Sequence, residues 1–217
     1  DCIMVCISGG KDSFLLAKCI EELQKHGRVN FEVKYIVMNP GYNKENKNKI
    51  IENAKLMNID IDIFETNIFD SVYNLNEGSP CYLCARMRRG CLYSYAKKLG
   101  CNKIALGHHM DDILETLLMN ITFQGAFSTM PPKLAMKKFD MTIIRPMCLV
   151  HEKDLTELAA LHEYRKQVKN CPYESQSSRS DMKAILQQLE AMNPEARYSL
   201  WGSMTNVQEE LLPDKID

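Results

Sequence analysis

Residues 2–16, CIMVCISGGKDSFLL, constrain the fold more than any other stretch. Cys2 to Ile7 is an almost wholly apolar run, the pattern of a strand covered on both faces of a parallel sheet, and an amphipathic pattern follows from Ser13. A buried strand that runs straight into two glycines, a lysine, an aspartate and a serine places polar groups at a strand-to-helix turn. The alternation continues downstream. A helix is predicted over Asp12–His26, stopped at Gly27, then a strand over Phe31–Met38, broken by Pro40 and Gly41. A Lys- and Asn-rich helix (Asn46–Met57), a strand (Ile59–Thr66), a helix (Tyr82–Leu99), a strand (Lys103–Gly107), a helix (Asp111–Thr122) and a strand (Met141–Val150) follow. Strands separated by helices imply right-handed crossovers. The expected fold is therefore α/β, a Rossmann-like, doubly wound, parallel five-stranded sheet. It would occupy residues 1–150, with a helical C-terminal extension, residues 151–217, packed on it.

With 217 residues, 45% hydrophobic and 25% charged, the chain can bury a sizeable core. No apolar run approaches the roughly 20 residues that span a bilayer, so no membrane partner is expected. Lys and Arg number 27 against 28 Asp and Glu, so only a local basic patch can supply a nucleic-acid footprint. Nine cysteines outside a small, loop-rich scaffold point to a reducing, cytoplasmic setting with thiols free or bound to metal.

Three constellations carry chemistry. In SGGKDS, Gly9 and Gly10 permit close backbone approach and the following helix aims free N–H groups at the loop; Lys11 adds charge, and Ser8 and Ser13 add hydroxyls, making an anion site. It is not a Walker A loop, because Val5 stands where glycine is needed and Asp12 where Ser or Thr is needed. The bland alternative is an ordinary glycine turn. In GHHMDDILETLLMN, residues 107–120, His108, Asp111 and Asp112 open a helix after a strand, and paired carboxylates facing a triphosphate suit Mg²⁺, although Asp also caps helices. Among the cysteines, Cys2, Cys6, Cys19, Cys91, Cys101 and Cys148 read as small buried hydrophobes. Cys81 and Cys84 form C-x-x-C after Pro80, and Cys171 precedes Pro172 in a polar loop. A lone C-x-x-C is shared by zinc sites and redox pairs, but three thiolates are the number for a cluster that keeps one iron open. Arg86, Arg89, Tyr93 and Lys97 fall near one helical stripe, with Arg88 and Lys98 alongside and Lys133, Lys137 and Lys138 further on. This reads either as an RNA-facing surface or as a solvated helix face.

SGGKDS resembles the PP-loop signature of ATP pyrophosphatases, within the adenine-nucleotide alpha-hydrolase-like fold. The ordered set SPCYLCARMRRG, GHHMDD, MPPKL, IRPM and NCPYESQSSR is similar to the tRNA 2-thiocytidine synthetase family. That resemblance implies an ATP-dependent tRNA sulfurtransferase that adenylates the C2 oxygen of a cytidine and replaces it with sulfur. It implies nucleotide binding at Ser8, Gly9, Gly10, Lys11, Asp12, Ser13, Met38, Gly107 and His108, and catalytic roles for Lys11, Arg88, Asp111 and Asp112. Mg²⁺ would sit on Asp111 and Asp112, and a [4Fe–4S] cluster on Cys81, Cys84 and Cys171. Partners implied are tRNA, a sulfur donor such as a cysteine desulfurase or free sulfide, and a second copy in a homodimer. Family members often carry a second downstream C-x-x-C; here Glu174 fills its second slot, removing a possible fourth ligand. A 2-thiouridine synthetase, a lysidine-type adenylating ligase and a nucleotide-binding or iron-sensing module without turnover are the rival readings.

Overall fold

The computed structural model of the chain describes residues 1–73, 80–168 and 179–213. In chain order these form β1 (Cys2–Ile7), α1 (Lys11–His26), β2 (Glu32–Asn39), α2 (Lys44–Leu56), β3 (Asp62–Glu65), α3 (Ile68–Tyr73) and α4 (Pro80–Lys98). They continue with β4 (Lys103–Ala105), α5 (Met110–Gln124), β5 (Lys133–Met136), β6 (Met141–Ile144), α6 (Glu152–Leu161), α7 (Arg179–Met192) and α8 (Ala196–Ser203).

The sheet has six strands in the order β3-β2-β1-β4-β6-β5. The first five of these pair in parallel, and β5 pairs antiparallel with β6, Lys133 opposite Ile144 and Met136 opposite Met141. The edge strand is an addition to the five expected. Its residues Lys133, Leu134 and Ala135 are exposed, so it lacks the apolar run that marks the buried strands. α3 is a second addition, and β3 and β6 are shorter than their apolar patterns.

Period-two alternation splits the core of the sheet. Ile3, Val5 and Ile7 of β1 face Phe14, Leu15, Leu16 and Ile20 of α1, Ile50 and Ala54 of α2, and Leu155 and Ala159 of α6. Met4 and Cys6 face the other way, toward Ala96 of α4 with Cys101, Ile104 and Met141. A third patch joins Met38, Ile68 and Val72 to Leu83, Cys84, Met87 and Cys91 of α4. Cys6 and Cys101 are buried as expected; Cys19 is exposed, because it lies on the solvent side of α1, and Cys2, Cys91 and Cys148 are half-buried.

Contacts divide the chain into two units, Asp1–Met110 with Pro131–Gln176, and Asp111–Met130 with Ser177–Asp217. The first holds the sheet, α1 to α4 and α6; the second is helical, with α7 and α8 packed together and Met182 of α7 within reach of Thr122 on α5. No helix among the described residues is long and apolar enough to cross a membrane.

Candidate functional site

Strand order places the site. The chain moves outward from β1 to β2 and β3, then returns to lay β4 on the other side of β1. Loops leaving the carboxyl ends of β1 and β4 therefore diverge at a topological switch point, where open α/β sheets bind ligands. Those loops carry SGGKDS and GHH, and they touch: a Cβ on Gly107 would lie 3.2 Å from the backbone of Asp12 and Ser13.

The SGGKDS turn is held from several directions. Gly9 has φ +87°, and a Cβ there would lie 2.5 Å from Gln167 Nε2 and 2.8 Å from Ile50 Cγ1, so both conformation and space demand glycine. Ser13 Oγ donates to the Gly10 carbonyl (2.8 Å) and accepts from the Ser8 amide (3.2 Å), closing the loop on the first turn of α1. Tyr42 donates to the Ser8 carbonyl at 3.2 Å, and the Tyr164 hydroxyl donates to the Gly9 carbonyl. Because each peptide is planar and trans, tying down these two carbonyls turns the following N–H groups of Gly9 and Gly10 the opposite way, where the Gly10 N–H meets Ser8 Oγ at 3.4 Å. Lys11 Nζ pairs with Asp12 Oδ1 at 2.6 Å, both side chains partly exposed, beside the first turn of α1, where the Ser13 amide already donates to the Gly10 carbonyl and those of Lys11 and Asp12 precede the first intrahelical acceptor. The result is the donor set of an anion site.

Burial pushes the Tyr164 hydroxyl up to about 12, with Asp12 and Tyr42 adding to the rise, so this donor stays protonated throughout the neutral range. Burial also raises Tyr42, and the Arg88 guanidinium facing it offsets part of that rise. Arg88 of α4 is thus linked through Tyr42 to the loop. On the same helix, Arg86 and Arg89 are exposed and Arg88 is half-buried.

Cys81 and Cys84 lie one turn apart at the start of α4, Cys81 exposed and Cys84 half-buried against the patch that contains Met38. Thiols at i and i+3 share a helix face, and soft sulfur donors suit iron, so these two residues fit an iron–sulfur cluster. Cys171 lies outside the described residues. Among those residues, no group of three His, Cys, Asp or Glu is placed to hold a metal ion.

His108 accepts from Arg145 Nε at 3.4 Å. Arg145 is buried, donates to the Pro131 carbonyl at 2.5 Å, and has its pKa lowered by burial, partly countered by Tyr93 and Cys148. In the helical unit Asp111 pairs with Arg197, and Arg197 also bonds Glu190 at 3.0 and 3.1 Å. Asp112 and Glu115 each lie 3.7 Å from Arg179. Both carboxylates expected to hold Mg²⁺ therefore face arginines. Burial depresses Arg197, but Glu190 and Asp111 outweigh it and its pKa rises.

Sequence reasoning missed four of these residues. HEKDLTELAALHEYRK reads as a packing helix, yet α6 ends at Leu161, and Tyr164 and Gln167 reach the loop; Gln167 Nε2 is buried there with no hydrogen-bond partner among the described residues. RYSLWGSMTNVQEELL likewise reads as packing, yet it supplies Arg197. Arg145 had a signal, its arginine amid an apolar strand, but no partner visible in sequence.

A PP-loop domain family matches residues 1–168. The tRNA-cytidine(32) 2-sulfurtransferase of Geobacter sulfurreducens is 34% identical over 99% of this chain and 85% of its own length. That of Alcanivorax borkumensis is 36% identical over 99% of this chain and 76% of its own. Among solved structures, the U34-tRNA thiolase NcsA from Methanococcus maripaludis, with its [4Fe-4S] cluster, superposes with a TM-score of 0.74. It is 23% identical, covers 94% of this chain and 70% of that one, and so confirms the fold.

Proposed function

The chain belongs to the PP-loop family of tRNA-cytidine(32) 2-sulfurtransferases, and from that premise we propose that it thiolates tRNA at the expense of ATP, adenylating the C2 oxygen of a cytidine and replacing it with sulfur. A carbonyl-type oxygen leaves poorly, and transfer of AMP to it makes it a good leaving group. On this reading Ser8, Gly9, Gly10, Lys11, Asp12 and Ser13 hold the departing pyrophosphate, with Gly107 seated against the same turn. Met38 and His108 bound the nucleotide, and Asp111 and Asp112 serve Mg²⁺, which offsets charge on the phosphates. Cys81, Cys84 and Cys171 hold a [4Fe–4S] cluster; when bound by three cysteines it keeps one iron open to carry sulfur. Arg88 stabilises charge that develops as AMP is transferred. A sulfur donor, a homodimer and a cytoplasmic location complete the reading.

The observation that carries it is a link between two chemistries. Arg88, four residues after Cys84 on α4, faces Tyr42, whose hydroxyl is bonded to the Ser8 carbonyl. Thiol donors and phosphate donors thus belong to one unit of the fold.

The test is anaerobic purification followed by iron and sulfide counts and spin-resonance spectra for the wild type and for Cys81→Ala, Cys84→Ala and Cys171→Ala. Each substitution is expected to lose the cluster and abolish formation of thiolated nucleoside while leaving ATP affinity intact. Thiolation at the wild-type rate in Cys171→Ala would reject the cluster assignment. Iron-free wild-type protein that still releases pyrophosphate with tRNA would leave adenylation alone.

A further inference from the structure

The distribution of charge on the sheet unit is uneven in a way the balanced total hides. Residues 80–140 contain nine Lys and Arg but only four carboxylates, Asp111, Asp112, Glu115 and Asp140. The first three belong to the helical unit, at the start of α5, and face Arg179 or Arg197, with Asp111 and Glu115 buried; Asp140, exposed in the β5–β6 turn, is the one acid of the stretch that lies in the sheet unit. α4 itself, nineteen residues long, has no acidic residue. A solvated helix face is ordinarily laced with both signs, as α1 is by Glu21 with Lys18 and Lys25. Within α4 no acid is present to pair with its cations.

The fold then joins a second group of cations to this helix. Arg86, Arg89, Tyr93 and Lys97 recur at i, i+3, i+7 and i+11, within one face of the helix. Tyr93 meets Phe139 at 5.0 Å between ring centroids, which brings the β5–β6 turn against that face. The turn carries Lys137 and Lys138, both exposed, and Lys138 lies 5.8 Å over the Phe139 ring, while Lys98 lies 6.0 Å over Tyr95. Two segments separated by some forty residues thus present six cations on neighbouring surface, four of them on the helix that opens with Cys81 and Cys84.

We propose that the α4 face and the β5–β6 turn together form the surface that docks the phosphate backbone of tRNA, alongside the cysteines at the start of α4. This rests on the tRNA reading above. A polyanion is the occupant whose chemistry fits clustered, exposed cations on a chain of net charge −1. A surface on which six cations face a single acid, Asp140, costs self-repulsion in the free protein, and counterion release on binding RNA offsets it. The cations that touch backbone carry position rather than sequence, so this face sets where the tRNA lies and leaves the choice of base to the site.

The experiment measures affinity of the purified, cluster-containing protein for unmodified tRNA as a function of salt. The variants are R86A/R89A, K137A/K138A and their combination, with K25A/K55A on α1 and α2 as a control that removes the same charge as either double variant. Each lost phosphate contact should flatten the slope of log affinity against log salt by about 0.7 to 0.9. The combined variant should therefore flatten it by about 2 or more and bind at least about tenfold more weakly in moderate salt, with ATP affinity and iron content unchanged. K25A/K55A should keep the wild-type slope. A wild-type slope in the combined variant, or flattening in the control equal to that of either double variant, would overturn this face while leaving the tRNA function standing. Wild-type protein with no affinity for tRNA would overturn the function and the face together.

Discussion

Gly9 shows how little freedom the anion loop has. Its φ of +87° lies in the region that side chains avoid, and the space a methyl group would need is held by Ile50 and Gln167. The left-handed conformation alone costs an ordinary residue about 1 kcal/mol, and the Ile50 side chain belongs to the packed core and cannot yield without moving α2. Gly9→Ala should therefore distort the turn and lower ATP affinity at least about tenfold in titration calorimetry. Gly90, on α4, is the contrast, since a Cβ there would meet nothing within 4 Å. Gly90→Ala should leave ATP affinity unchanged and stabilise the helix by up to about 1 kcal/mol. Unchanged affinity in Gly9→Ala would show that the loop's shape does not govern nucleotide binding.

One level up, the stretch after α6 is fixed by an arrangement that belongs to no secondary-structure element. Asn53 of α2 accepts from the Arg165 amide and donates to its carbonyl, both at 2.9 Å, and Asn46 does the same to Val168 at 2.9 and 2.8 Å. Each asparagine, buried to within 1% of full burial, imitates a strand neighbour and satisfies two backbone groups at once. Tyr164, at the head of this strap, is thereby aimed at Gly9. Asn53→Ala should expose the Arg165 amide to rapid hydrogen exchange, and Asn46→Ala the Val168 amide, while amides in β1 keep their protection. Uniform loss across the sheet would mean that the asparagines support the whole core rather than the strap. These residues also mark where sequence reading stops. β1, β2 and β4 were legible because apolar runs specify burial on both faces, and SGGKDS was legible because its position after β1 defines its use. Asn46 and Asn53 sit in a polar, Lys-rich helix and look solvated; their partners lie 122 and 112 residues away. β5 was hidden because an exposed edge strand needs no apolar signature, and the Asp111–Arg197 pair because neither residue announces the other across 86 positions.

At the scale of the whole molecule, the burial of thiols and phenols argues for a fold that fails at alkaline rather than neutral pH. Burial raises Cys6 from 9.0 to about 12, with Cys101 adding to it, and raises Cys101 likewise to about 12. Burial raises Tyr35 and Tyr164 from 10.0 to about 12. In each case the folded state holds its proton at a pH where the unfolded chain has released it. Below about pH 9 both states are protonated and these groups give no pH dependence. Between about pH 9 and 12 the unfolded chain ionises first, so folding stability falls as pH rises and is lost through the folded values. The urea midpoint should therefore hold nearly level from about pH 7 to 9 and decline steeply above it. Cys6→Ala should lower the midpoint at neutral pH, because it empties core space, yet make the alkaline decline shallower, because it removes one of the shifted groups. The second effect is the discriminating one: a purely structural role for Cys6 would lower the midpoint by the same amount at every pH. A midpoint that stays flat to about pH 11 would show that these thiols and phenols are hydrated in solution, and with them the α4 side of the sheet that Cys6 and Cys101 share.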